Sequence, residues 1–301
     1  MTPEIQIGLI GLDSSHCVEY ARLFHDQQHE QHVTGARIVA AYPGGSPDWE
    51  LSYSRVEGFC DQVKNEFGVP LVGSIEELVA AADAIMILSV DGRTHLKEFE
   101  QVAQSGKPVY IDKPLSATLA DAVRLHAIAQ STGTRLFSSS VWRFSRGLIE
   151  AKAALEGPCR LAHVHGHWPL HAGMHGWTYY GIHHVEMLYA VMGTGCLRVS
   201  CHRVGSTEVL IGFWPDGRVG TIATDHDEEL PFGGWLLGEK GSSMMEVRDT
   251  KYHRYEAFLQ AALKFFGGAA APVPLRESIE TIAFLEAAAQ SAAQGGTSVD
   301  V

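Results

Sequence analysis

The strongest constraint on this chain is the alternation within its first 139 residues. Short apolar runs at 5–10, 37–41, 70–72, 84–90, 109–111 and 135–139 are separated by stretches of helical patterning at about 16–29, 53–67, 74–82, 94–105 and 118–130. Strands spaced by helices of that length pair through crossovers and not through tight hairpins, which predicts a parallel, doubly wound sheet. Ligands of such sheets sit beyond the carboxyl ends of the strands. Thr118 reads as the cap that opens a helix, and Gly106 as the residue that closes one.

After residue 140 the pattern changes. A helix at about 145–155 leads to a strand at 161–168. Further strands are expected near 196–203, 206–214, 217–224 and 234–247, with a hairpin turn at Trp214-Pro215-Asp216-Gly217-Arg218. Two helices, roughly 251–266 and 275–294, complete the chain. The expected organisation is a Rossmann-like domain over 1–140 and an α+β domain with an open antiparallel sheet over 141–301. Net charge is −12, from 23 Lys+Arg against 35 Asp+Glu. That balance argues against nucleic acid and anionic membrane as partners and leaves a small molecule. No apolar run reaches the roughly 20 residues of a spanning helix, and the first residues lack a basic region and a cleavage site. Five scattered cysteines without a C-x-x-C pair read as reduced thiols of a cytoplasmic protein.

Several landmarks fall in a recognisable order. They are Tyr110-Ile111-Asp112-Lys113-Pro114-Leu115 after the fifth predicted strand, the stretch 89–95 ending in His95, Arg143, Gly181-Ile182-His183-His184-Val185-Glu186, Leu237-Gly238-Glu239-Lys240-Gly241, and the tail 272–301. In this order the chain resembles the glucose-fructose oxidoreductase/inositol dehydrogenase/MocA family nearly end to end. The resemblance implies a Rossmann domain followed by an open sheet, and an NAD(P)-dependent oxidoreductase acting on a sugar or cyclitol-like polyol.

The cofactor loop departs from that pattern. Dinucleotide loops use three glycines, for the turn, for approach of the pyrophosphate and for helix packing. Here Gly11 fills the first place, Asp13 the second and His16 the third. A carboxylate beside a pyrophosphate is unfavourable, and Asp13 as an N-cap would itself occupy the helix N-terminus that favours an anion. Ser14 and Ser15 offer hydroxyls to a phosphate. The second strand ends at Tyr42, where an acid usually binds the ribose, so NADP is permitted beside NAD. Ser89 and Asp112 complete the expected cofactor contacts. The same substitutions leave open a degenerate core that binds no dinucleotide.

The resemblance assigns Lys113 to proton handling, with His183 from the second domain. Tyr179 stands where relatives carry an Asp; its ordinary pKa near 10 makes it a poor base, so His183, near 6.5, is the stronger candidate. His95 and Arg143 are expected to shape the substrate site. Residues 163–184 hold seven of the sixteen histidines: His163, His165, His167, His171, His175, His183 and His184. His165, His167 and His184 are assigned to substrate. A polar pocket lining, a metal site and an oligomer interface all remain open for the cluster, and the resemblance implies no metal. Three functions follow: a dehydrogenase, a redox-neutral lyase or epimerase retaining NAD, and a non-catalytic binding protein. A homo-oligomer through the second domain's sheet is expected.

Overall fold

The computed structural model describes residues 4–169 and 177–301. His171 and His175 lie outside the described residues. The chain divides into two compact units, one of Met1–Ser139 with Tyr255–Leu275, the other of Ser140–Arg254 with Arg276–Val301.

The first unit runs β1 (Ile5–Ile10), α1 (Ser15–His25), β2 (Ala36–Tyr42), α2 (Glu50–Asn65), α3 (Ile75–Ala81), β3 (Ala84–Ile87), α4 (His95–Val102), β4 (Val109–Asp112), α5 (Leu119–Thr132) and β5 (Leu136–Ser139). The sheet is parallel with order β2-β1-β3-β4-β5. Its strands are short and buried on both faces, as an all-parallel sheet requires. The expected strand at 70–72 is reduced to one bridge, Leu71 to Ala41. Thr118 caps α5, accepting from Asp121 N–H at 3.2 Å, and the helix closes at Gly133 in the left-handed region.

The second unit comprises α6 (Arg146–Ala153), β6 (Cys159–His167), α7 (Thr178–Met192), β7 (Arg198–Val204), β8 (Thr207–Phe213), β9 (Val219–Asp225), β10 (Gly233–Gly238), β11 (Gly241–Glu246), α9 (Leu275–Ala293) and β12 (Val299–Asp300). Its sheet order is β11-β10-β6-β9-β8-β7-β12. The sheet is mixed: β6 and β9 pair in parallel and the remaining ladders are antiparallel. The run read as one strand at 234–247 is a hairpin of β10 and β11, turned at Glu239-Lys240. Ala162, Val164, Leu210, Ile222 and Leu236 face inward onto Ile182, Val185 and Leu188 of α7 and Phe284 of α9. A Cβ at Gly181 would lie 2.0 Å from the Trp168 ring, so only glycine lets the first turn of α7 pack against that ring.

One element departs from the expected division. Helix α8 (Lys251–Phe266) passes from the second unit to the first, and Tyr255–Leu275 belongs with the Rossmann-like sheet. The cause is aromatic packing. Phe258 is fully buried with ring centroids 5.5 Å from Tyr20 and 4.8 Å from Tyr110. Phe265 sits edge-on to Phe137 at 4.8 Å, beneath the Arg135 guanidinium at 4.4 Å. Phe258→Ala is therefore expected to cost about 3–5 kcal/mol in denaturant unfolding; a loss under about 1 kcal/mol would show that α8 does not help hold this core together.

Candidate functional site

The first unit presents its chemistry at the carboxyl ends of its strands. β1 leads into Gly11, whose φ of +88° and close approach to Ser89 exclude a side chain: an added Cβ would lie 2.4 Å from the Ser89 nitrogen. Leu12 N–H donates to Pro43 O at 2.7 Å, which draws the loop after β2 onto this turn. Asp13 is fully buried. Its Oδ1 accepts from Val90 N–H at 2.9 Å and its Oδ2 from the Ser52 hydroxyl at 2.6 Å. Burial pushes its carboxyl above the ordinary carboxylate range, against the pull of those hydrogen bonds. Asp13 is not the helix cap; Ser14 is, accepting from His16 N–H at 3.4 Å. Ser15, at the start of α1, is exposed, and Tyr42 is half-buried at the end of β2.

Lys113 follows β4 directly and is nearly buried, with a cis bond to Pro114. Asp112 and His16, both expected to touch cofactor, instead bind each other: His16 Nδ1 lies 2.5 Å from Asp112 Oδ2. Asp112 Oδ1 also accepts from Tyr110 Oη at 2.8 Å and from Lys113 N–H at 2.8 Å. Burial would raise this carboxyl, but the His16 ring, the Lys113 ammonium and the Tyr110 hydroxyl outweigh it and hold the group below the usual range. His95 is likewise no surface ligand. It is fully buried, with Nδ1 2.9 Å from Pro114 O and Nε2 2.8 Å from Ser89 O. Both partners are backbone carbonyls, which only accept. His95 thus clamps the Lys113 turn to the end of β3, beside buried Glu98, which accepts from the Ser89 hydroxyl at 2.7 Å.

In the second unit His183 lies on α7, nearly buried. Its Nδ1 is 2.6 Å from Ser140 Oγ, and Tyr180 stands edge-on at 5.1 Å. Tyr179 is half-buried one helical turn before His183. Glu186, on the next turn, accepts from Ser140 N–H at 2.8 Å. Arg143 donates to Glu186 O at 3.0 Å and pairs with Glu277. It is thereby a brace of α7 against α9. His167 stands 6.3 Å from Tyr180. His163 and His165 lie on the sheet face opposite the one that α7 covers, with Trp235 6.1 Å from His163. His184 is part of the core, fully buried and stacked on Trp168 at 5.6 Å and against Phe232 at 4.7 Å. Among the described residues no group of three or more His, Cys, Asp or Glu forms a metal cage.

Residues 5–140 match the family described as "Oxidoreductase family, NAD-binding Rossmann fold" (GFO_IDH_MocA). Over this region the chain is similar to the Gfo/Idh/MocA family. Inositol 2-dehydrogenase 1 of Saccharopolyspora erythraea is 29% identical over 204 residues, 64% of this chain and 57% of that enzyme. The alignment thus spans little more than half of that relative's length. The scyllo-inositol dehydrogenase of Lactobacillus casei, solved with NAD(H) and scyllo-inositol, superposes with a TM-score of 0.79 at 14% identity, covering 99% of both chains. Myo-inositol 2-dehydrogenase of Lactobacillus plantarum gives 0.79 at 16%, again over 99% of each. These likenesses extend the family's fold through the second unit.

Within that family fold, Gly11 and the start of α1 with Ser14 and Ser15 fit a dinucleotide phosphate, while Asp13 sets a carboxylate among the same loops. Ser140 and Ser52 escaped the sequence reading because lone serines carry no motif. Only the pairing of the 140 region with α7, and of α2 with the β1 turn, reveals them. His184 generates a pH prediction. Burial pushes its ring down to about 3, whereas an unfolded histidine titrates near 6.5. Between those values the folded state binds fewer protons, so stability falls as pH drops below about 6.5. His184→Phe is expected to flatten the decline of Tm between about pH 6 and 4; an unchanged slope would show that His184 does not titrate on unfolding.

Proposed function

We propose that this protein is an NAD(H)-linked oxidoreductase acting on a cyclitol or similar polyol. The observation that carries the reading is Lys113, nearly buried at the end of β4 and held by Asp112 and His95 within the family fold. When bound, NAD(H) would accept or return the hydride at the substrate carbinol carbon. Gly11, Ser14 and Ser15 would hold it, and NADP is not distinguished. The Lys113 ammonium would donate a hydrogen bond to the reacting hydroxyl oxygen and stabilise its developing negative charge. His183, oriented by Ser140, would take or return the proton. Arg143 and Glu186 would keep His183 in place by fixing α7. The names of the inositol dehydrogenases among its relatives favour a ring polyol as substrate. A second reading, a ligand-binding protein on this fold, is favoured by the buried carboxylate of Asp13.

Five free, buried cysteines support a reducing, cytoplasmic setting. Among the described residues no helix is long and apolar enough to cross a membrane. Exposed Trp235, Leu237 and Val209 on the open sheet support association with a second copy of the chain. Trp235→Arg is then expected to shift the protein toward monomer in light scattering; an unchanged mass would remove this face from the assembly.

Lys113→Ala is expected to preserve the fold and nucleotide binding and to lower kcat on a ring polyol at least about 100-fold. Near-normal kcat in the purified variant would remove Lys113 from the chemistry.

A further inference from the structure

The order β2-β1-β3-β4-β5 reverses between β1 and β3. The ligand crevice of such a sheet lies over the carboxyl ends of those two strands. Asp13 follows β1 and Val90 follows β3, so the Asp13–Val90 hydrogen bond of 2.9 Å crosses the crevice itself. On the other side the Asp13 carboxylate takes the Ser52 hydroxyl. Ser52 in turn accepts from Ser46 N–H at 2.7 Å, and the Ser46 hydroxyl donates to Asp91 at 2.7 Å. Arg93 joins Asp91 to Asp48 with bonds of 2.6–3.0 Å. The loops after β1, β2 and β3 are therefore tied together around two buried carboxylates, Asp13 and Asp91. A backbone N–H and a hydroxyl converging on a buried negative charge are the donors a phosphate oxygen uses.

We propose that Asp13 is a resident anion in the phosphate segment of the crevice, and that its charge, more than its size, limits how tightly the protein takes a dinucleotide. This rests on the NAD(H) reading above. The size of the side chain is absorbed, because Asp13 is fully buried between α2 and the end of β3. Its charge is offset only in part, by the Ser52 and Val90 donors and the Arg55 guanidinium, and a pyrophosphate at the start of α1 would meet the remainder through low-dielectric interior. The pyrophosphate would also compete for the two donors that Asp13 holds.

Isothermal calorimetry with NAD+ and with NADP+ tests this on the wild type, Asp13→Asn, Asp13→Ser and Asp13→Gly. Asp13→Asn keeps the volume and the Val90 hydrogen bond while removing the charge; its amide nitrogen only donates, so the Ser52 contact reverses direction, with the Ser52 oxygen accepting. Asp13→Ser removes the charge with a smaller polar group, and serves should the Asn variant lose its fold by circular dichroism. Asn and Ser variants are expected to bind at least one of the nucleotides about tenfold tighter than wild type, or more. Tightening confined to Asp13→Gly would assign the effect to size and overturn the proposal, as would unchanged or weaker binding in every variant. Binding of neither nucleotide by any of the four proteins, up to about 1 mM, would instead bring down the NAD(H) reading and this inference with it.

Discussion

The buried carboxylate of Asp112 is the interaction on which the first unit's carboxyl edge depends. It is removed from water, and an unpaired charge there would cost several kcal/mol. His16, the Tyr110 hydroxyl and the Lys113 N–H supply the missing solvation. Each of these partners comes from a different requirement of the fold. His16 belongs to the first turn of α1 and stacks on Tyr20 at 5.1 Å. Tyr110 packs against Phe258 of α8 and also lies 3.0 Å from Ser139 O at the end of β5. The carboxylate therefore joins α1, β4 and the neighbouring strand end, and the backbone of Lys113 is set by that junction.

The same device recurs wherever the cofactor loop departs from its family pattern. Glycines at the second and third positions would leave open backbone for a phosphate. Here Asp13 and His16 occupy those positions, and each is satisfied inside the protein, by Ser52 with Val90 and by Asp112. The second unit follows a parallel rule. Glu186 accepts from Ser140 N–H, and Arg143 spans from α7 to Glu277 of α9. His183 is held by the Ser140 hydroxyl on one side and by the rings of Tyr180, Trp142 and Phe232 on the others. Polar residues near the candidate chemistry are thus fixed by other polar residues, which makes their geometry specific and costly to disturb.

How much of this was legible beforehand depended on the range of the interaction involved. Period and punctuation are local, so the strands and helices of the first 139 residues could be read in order, and the tandem of Asp112, Lys113 and Pro114 marked a strand end. The hairpin inside 234–247 was read as one strand although Gly238 and Gly241 bracket its Glu239-Lys240 turn. The return of α8 to the first unit was missed because its amphipathic pattern says that Phe258 is buried, but not against which sheet.

The sequence by itself therefore determined the fold class and, through its resemblance, pointed to Lys113, since motifs in fixed order survive without knowledge of contacts. Only the tertiary structure decided what the polar residues do. Asp13 could be a cap, a repelling charge or a brace, and the choice rests on Val90 and Ser52, 77 and 39 positions away. His184 could line a pocket or fill a core, and Trp168 and Phe232 settled it. A buried polar side chain takes its role from its partners, and partners distant along the chain are brought to it only by packing.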